Sequence, residues 1–130
     1  MTAEHGGPSL VVFDGSAPSL MTEVVRAIPG ENEGAAGLEC ATTVLSQSAD
    51  GRTVTGIWRC EPCDWTLMET GERAEFFHVL EGSMVLCEEG GEPVEATAGM
   101  SVFSPPGWTG TWRVPSRLRK VFISFHPAQS

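Results

Sequence analysis

The sequence predicts an all-β domain, a sandwich or a barrel, on three observations. From residue 40 onward, short runs rich in Val, Thr, Phe and Trp follow one another: CATTVLSQS, RTVTGIWRC, WTLME, EFFHVLEG, MVLCEE, PVEATA, SVFSP, GTWRV and LRKVFISF. Turn-forming segments separate them: ADG, EPCD, TGER, EGG, AGM, PPG and VPS. No amphipathic helical pattern interrupts the series. β-Branched and aromatic residues suit a pleated, half-buried surface, and Gly and Pro at this density mark hairpins.

The elements follow in order. Residues 1–9 read as a loose end, and SLVVF (9–13) as a short strand. Residues 14–37, rich in Gly, Pro, Ala and Glu, form a loop around LMTEVVRAI (20–28), which fits either a strand or a helix. Residues 1–37 are therefore expected as an N-terminal arm with one or two short elements, and residues 38–127 as the barrel. CEEGGEP fits a hairpin tip, because paired glycines accept positive φ at little cost.

A chain of 130 residues fits one domain, and buries about two-thirds of its unfolded surface in a single core. The net charge of −9 opposes nucleic-acid backbones and anionic membranes as partners. The charge says little else, since an acidic surface mainly aids solubility. No run approaches the apolar length of a membrane span. MTAEHGGPSL has neither a basic region nor an apolar core, so a cytoplasmic protein with four reduced cysteines is expected.

Two spacings carry a family likeness. Glu75 and Gly82 stand with six residues between them, and Gly99, Pro105 and Gly107 follow downstream. Together they resemble the second half of the first cupin motif and most of the second motif. The resemblance implies a cupin fold, the RmlC-like jelly roll or double-stranded β-helix barrel. GIWRCEP, EFFHVLEG, PPGWTGTW and RKVFIS are similar to the branch that holds ureidoglycine aminohydrolase-like and ethanolamine-utilisation cupins. The likeness covers about residues 40–125. It also implies a homodimer, for which an N-terminal arm suits strand exchange.

The departures from the motif bear on the chemistry. The two motif histidines fall at Met68 and Thr70, or at Glu69 and Gly71 on the shorter spacing, and the last falls at Gly110. The chain has three histidines, His5, His78 and His126, and none stands at a motif position. A tight transition-metal site needs three or four converging donors. No metal or other cofactor is therefore expected; the fallback is a weakly bound divalent ion at Glu75.

Glu75 is the first candidate catalytic residue. A carboxylate in a barrel lined by Met, Phe and Trp suits a general acid or base, or an anchor for a cationic or amide-bearing ligand. The competing reading is a structural carboxylate bonded to backbone, Lys120, Arg73 or Arg113. Lys120, in the RK pair that the resembled branch carries, is the second candidate. With Glu75 pointing into the barrel, alternation sends Phe77 and Val79 inward and His78 outward. Phe77, Met68, Thr70, Trp108 and Trp112 are expected to line the pocket. The indoles at 108 and 112 either present aromatic walls to a ligand or fill the volume of lost ligands. Cys60 and Cys63 form a CEPC segment that reads as thiols between strands rather than a redox or zinc motif. Arg113, Arg117 and Arg119 read as solvated strand edges.

Three functions remain open on this reading. The first is a small-molecule enzyme using Glu75, with Lys120, for proton chemistry without a tight metal. The second is a non-catalytic metabolite-binding or sensor cupin. The third is a metal-dependent cupin enzyme with non-standard ligands, Glu75 and Glu69 joined by Cys87 or a partner-chain residue.

Overall fold

The computed structural model describes residue 10, residues 23–28 and residues 38–127. Eight strands are present among these: β1 (Glu23–Ile28), β2 (Leu38–Gln47), β3 (Thr53–Cys60), β4 (Cys63–Glu69), β5 (Ala74–Glu88), β6 (Val94–Thr97), β7 (Ser101–Ser104) and β8 (Thr109–Phe125). They pair antiparallel in the order β1-β2-β3-β8-β5-β6, with β4 also on β8 and β7 also on β5. No helix occurs among the described residues, so none is long and apolar enough to cross a membrane. The fold is the all-β class the sequence predicts. LMTEVVRAI supplies the strand β1, which extends the sheet beyond β2. The SLVVF segment lies outside the described residues except for Leu10, which is exposed.

Two long strands organise the domain. EFFHVLEG and MVLCEE join into β5, which pairs with β7 through its first half and β6 through its second. The change of partner turns on Gly82. Its φ is 80°, and a Cβ there would sit 1.9 Å from the Arg117 carbonyl oxygen. Only glycine combines that backbone with that approach.

GTWRV and LRKVFISF likewise join into β8, so the VPS turn predicted between them is instead strand. The reason lies in the pairing. Residues 109–114 bond β4, residues 118–125 bond β3, and Pro115 falls at the handover, where a missing N–H costs no ladder bond to either strand.

Register decides what faces inward. Trp58, Lys120 and Val79 share one row across β3, β8 and β5. Gly56, Phe122, Phe77 and Val102 share the next, and Val54, Ser124, Glu75 and Ser104 the one after. Phe77 and Val79 are buried, together with Cys60, Met84, Trp112, Val114 and Leu118 in the core. The alternate rows take the other face: Thr55, Ile123, Phe76 and Phe103 form one, and in the other His78 donates to or accepts from Ser101 Oγ at 2.8 Å, while Ile57 and Thr43 at its far end are buried.

Candidate functional site

The inward rows of β3, β8 and β5 end in a cavity of about 370 Å³. β2 contributes Thr42 and Val44, and β3 contributes Val54 and Trp58. Met68 comes from β4, Glu75 and Met84 from β5, and Trp112, Lys120 and Phe122 from β8, with Arg73 preceding β5. A second cavity of about 200 Å³ adjoins it, sharing Met68, Arg73 and Glu75 and adding Glu69, Thr70, Ala74 and Ser124.

Lys120 and Glu75 are the charged centre. Lys120 Nζ donates to Glu75 Oε2 at 2.7 Å. The two side chains are 9% and 18% exposed, so the pair stands largely outside bulk water. The ammonium lies 3.9 Å from the Phe77 ring centroid and 5.1 Å from that of Trp58. Both rings offer their negative faces to the cation. Trp58 meets Trp112 edge-on at 5.8 Å, which sets one wall. Arg73 donates through Nε to Ser124 Oγ at 2.9 Å and also through Nη2, which anchors a second cation at the rim. The arrangement holds a proton donor and acceptor in contact, inside an apolar cup open to small molecules.

The expected site residues take different places. Glu75, Lys120, Met68 and Trp112 line the larger cavity. Phe77 is 1% exposed and stands beneath the ammonium as part of the core, not in either cavity wall. Thr70 borders the smaller cavity, but its hydroxyl is engaged by the loop between β7 and β8. It accepts from the Trp108 N–H at 2.8 Å and donates to the Pro105 carbonyl at 2.9 Å. Trp108 lines neither cavity. Its indole N–H donates to Glu88 Oε1 at 3.1 Å. The ring covers Gly110, where a Cβ would meet Trp108 ring carbons at 2.5 and 2.6 Å. The indole thus fills the volume that a motif histidine would have used.

Sequence reasoning passed over Trp58, Met84, Phe122, Thr42, Val44 and Val54. Their signal is the pairing of β2, β3, β5 and β8 across the sheet, which no local pattern encodes. Arg73 entered only as a partner for Glu75, and instead bonds Ser124.

The donors do not fit a tightly held transition metal. No three His, Cys, Asp or Glu side chains converge among the described residues. A cation at Glu75 would also meet the Lys120 ammonium. Glu69 and Glu75 border the smaller cavity, but Cys87 does not join them. Its thiol turns to the carbonyls of Glu88 and Gly91, in a row with exposed Leu67 on the other sheet face.

The CEPC segment stands apart from this site. Cys60 is fully buried and pairs in register with Cys40. Burial pushes its thiol well above the ordinary range, and neighbouring Cys63 and Cys40 push it the same way. Such a thiol is a poor nucleophile at neutral pH. Of the arginines, Arg117 bonds Glu61 at 2.9 Å and Arg113 stacks on Trp65 at 5.4 Å, both away from the cavities.

Comparison with known proteins places this geometry. The sequence profile of the EutQ-like cupin domain matches residues 47–122. No curated protein matches the sequence. Among solved structures, a putative ethanolamine utilization protein EutQ from Salmonella typhimurium is 18% identical with a TM-score of 0.60, covering 85% of this chain and 100% of that one. A protein of unknown function from Pseudomonas syringae is 20% identical with a TM-score of 0.68, over 81% of this chain and 45% of the other. Ectoine synthase from P. lautus is 21% identical with a TM-score of 0.60, over 69% and 66%. These likenesses establish the cupin β-barrel fold.

Proposed function

The chain belongs to the EutQ-like cupin family, and from that premise we propose that its barrel binds a small molecule and acts on it by proton transfer between Glu75 and Lys120. The single observation that carries this reading is the 2.7 Å contact between an ammonium and a carboxylate inside a cavity of small-molecule size. Such a pair is costly to desolvate, and well-packed apolar residues in its place are often equally stable. A cavity that keeps the pair gains chemistry from it. Glu75 accepts a proton from a ligand atom, and Lys120 donates one or holds developing negative charge. The apolar walls strengthen both effects by excluding water.

The reading needs no tight metal, in keeping with the donor set. The finer likeness to ureidoglycine aminohydrolase-like cupins directs the first ligand panel to ureides, amides and small amino acids, with carbonyl compounds and carboxylic acids alongside. A homodimer is part of the same reading, and light scattering in solution tests it.

The test is a thermal-shift screen of the wild type, Glu75→Gln and Lys120→Met. A ligand at 100-fold over its Kd raises stability by about 2.7 kcal/mol. Glu75→Gln is expected to keep binding and lose turnover. Retained binding with no turnover in the wild type replaces catalysis with a sensor role. A ligand that binds all three proteins equally removes the pair from the site and overturns the proposal.

A further inference from the structure

Lys120 is the single lysine of the chain; the other seven basic residues are arginines. That lysine is also the most enclosed cation described, 7% exposed, on the cavity wall against Glu75. A guanidinium makes the better buried ion pair, because its planar fork bonds a carboxylate through two parallel N–H groups. A primary amine at this one position is the weaker structural choice. It does one thing that a guanidinium does not, which is to form an imine with an isolated ketone or aldehyde carbonyl.

We propose, resting on the reading of the cavity given above, that Lys120 captures a small carbonyl compound bearing a carboxylate, such as a 2-oxo acid, as an imine. The step balances within the pair. Glu75 takes one proton from the Lys120 ammonium, and the freed amine attacks the carbonyl carbon to form a C–N bond. The proton displaced from nitrogen passes to the carbonyl oxygen, giving a carbinolamine. Glu75 then returns its proton to that hydroxyl, the C–O bond breaks, and water leaves. The product is a protonated imine on Lys120 with Glu75 again ionised.

The net change is an ammonium exchanged for an iminium, both singly positive. The charge facing Glu75 and the rings of Phe77 and Trp58 is therefore the same before and after capture. Trp58, Trp112, Met68 and Phe122 supply a wall that holds water away from the imine. Arg73, at the rim of the same cavity, supplies the cation for the ligand carboxylate.

The experiment is reductive trapping. The full chain is incubated with pyruvate or with acetone and sodium cyanoborohydride, and adducts are located by peptide mass spectrometry. With one lysine, the N-terminal amine is the built-in measure of ordinary reactivity. Expected is a saturable adduct on Lys120, reached at least tenfold lower in pyruvate than in acetone, slowed in Glu75→Gln and lost in Lys120→Arg. Labelling of the N-terminal amine without Lys120 overturns the proposal. Equal half-saturation for the two ketones overturns the carboxylate part of it. The failure is separable from that of the cavity reading. If panel ligands stabilise both the wild type and Lys120→Arg while Lys120 stays unlabelled, capture falls and proton chemistry stands. If no panel ligand stabilises the wild type and Lys120 stays unlabelled, both fall.

Discussion

Lys120 reaches Glu75 across two register rows, passing over the face of Phe77 to do so. Glu75 stands opposite Ser124 on β8, four residues along from Lys120. That separation is about 13 Å of strand, which two extended side chains and one hydrogen bond just span. Neither residue meets its own cross-strand neighbour for this purpose. The contact therefore holds the β5–β8 register as well as the charge.

Removing one partner is expected to cost more than removing both. Glu75→Leu leaves the Lys120 ammonium among apolar rings and should destabilise by about 3–5 kcal/mol. The double variant Glu75→Leu with Lys120→Met should recover most of that loss. Urea unfolding of the two singles and the double decides it. Additive losses would show that the pair is not coupled.

Gly82→Ala should prevent normal folding. A methyl at this position falls 1.9 Å from the Arg117 carbonyl oxygen on a backbone with φ of 80°. Relief requires β5 and β8 to part at the point where β5 changes partner. Circular dichroism and size exclusion should show loss of the native sheet, whereas Gly90→Ala, at an open turn, should keep it.

Restoring a motif histidine should not restore a metal site. Gly110→His places its Cβ 2.5 Å from the Cys87 carbonyl oxygen and on the ring of Trp108. The variant is expected to melt lower than the wild type and to take up no zinc by elemental analysis. Zinc bound in stoichiometric amount would contradict the donor argument.

Stability should fall in alkali through Cys60. Its folded thiol is held above the ordinary range, chiefly by burial. The unfolded chain releases that proton from about pH 8.5 upward. The stabilisation is complete below that pH and is lost as pH rises toward the folded value. The chain has no tyrosine, so no phenol contributes to the alkaline slope. Cys60→Ala should flatten the slope between pH 8 and 10 in denaturant titrations; an unchanged slope would assign it elsewhere.

Much of the fold is legible in the sequence, because strand alternation and turn residues are local. That Glu75, Phe77 and Val79 share one face follows from period two alone. Gly82 is visible as a motif glycine, although the carbonyl that demands it is Arg117, distant in sequence. The VPS segment misleads because proline marks turns in general, and only the partner exchange of β8 makes it acceptable in a strand. The site is half legible. Glu75 and Lys120 stand out as charges in apolar runs. Trp58 and Phe122 do not, since their places depend on which rows of β3 and β8 align. Trp108 reads as a pocket wall from its motif position, but Glu88 turns it away.

The pairing of β8 has a consequence for synthesis. β3, β4 and β5 all bond to residues 109–125, which leave the ribosome after them. Until that segment emerges, three strands wait with open edges and the cup has no closing wall. Sheets assembled from distant partners form slowly and expose sticky edges meanwhile. Nascent chains arrested before residue 109 should accordingly be bound by chaperones and cut readily by protease, whereas the released chain carrying β8 should escape both.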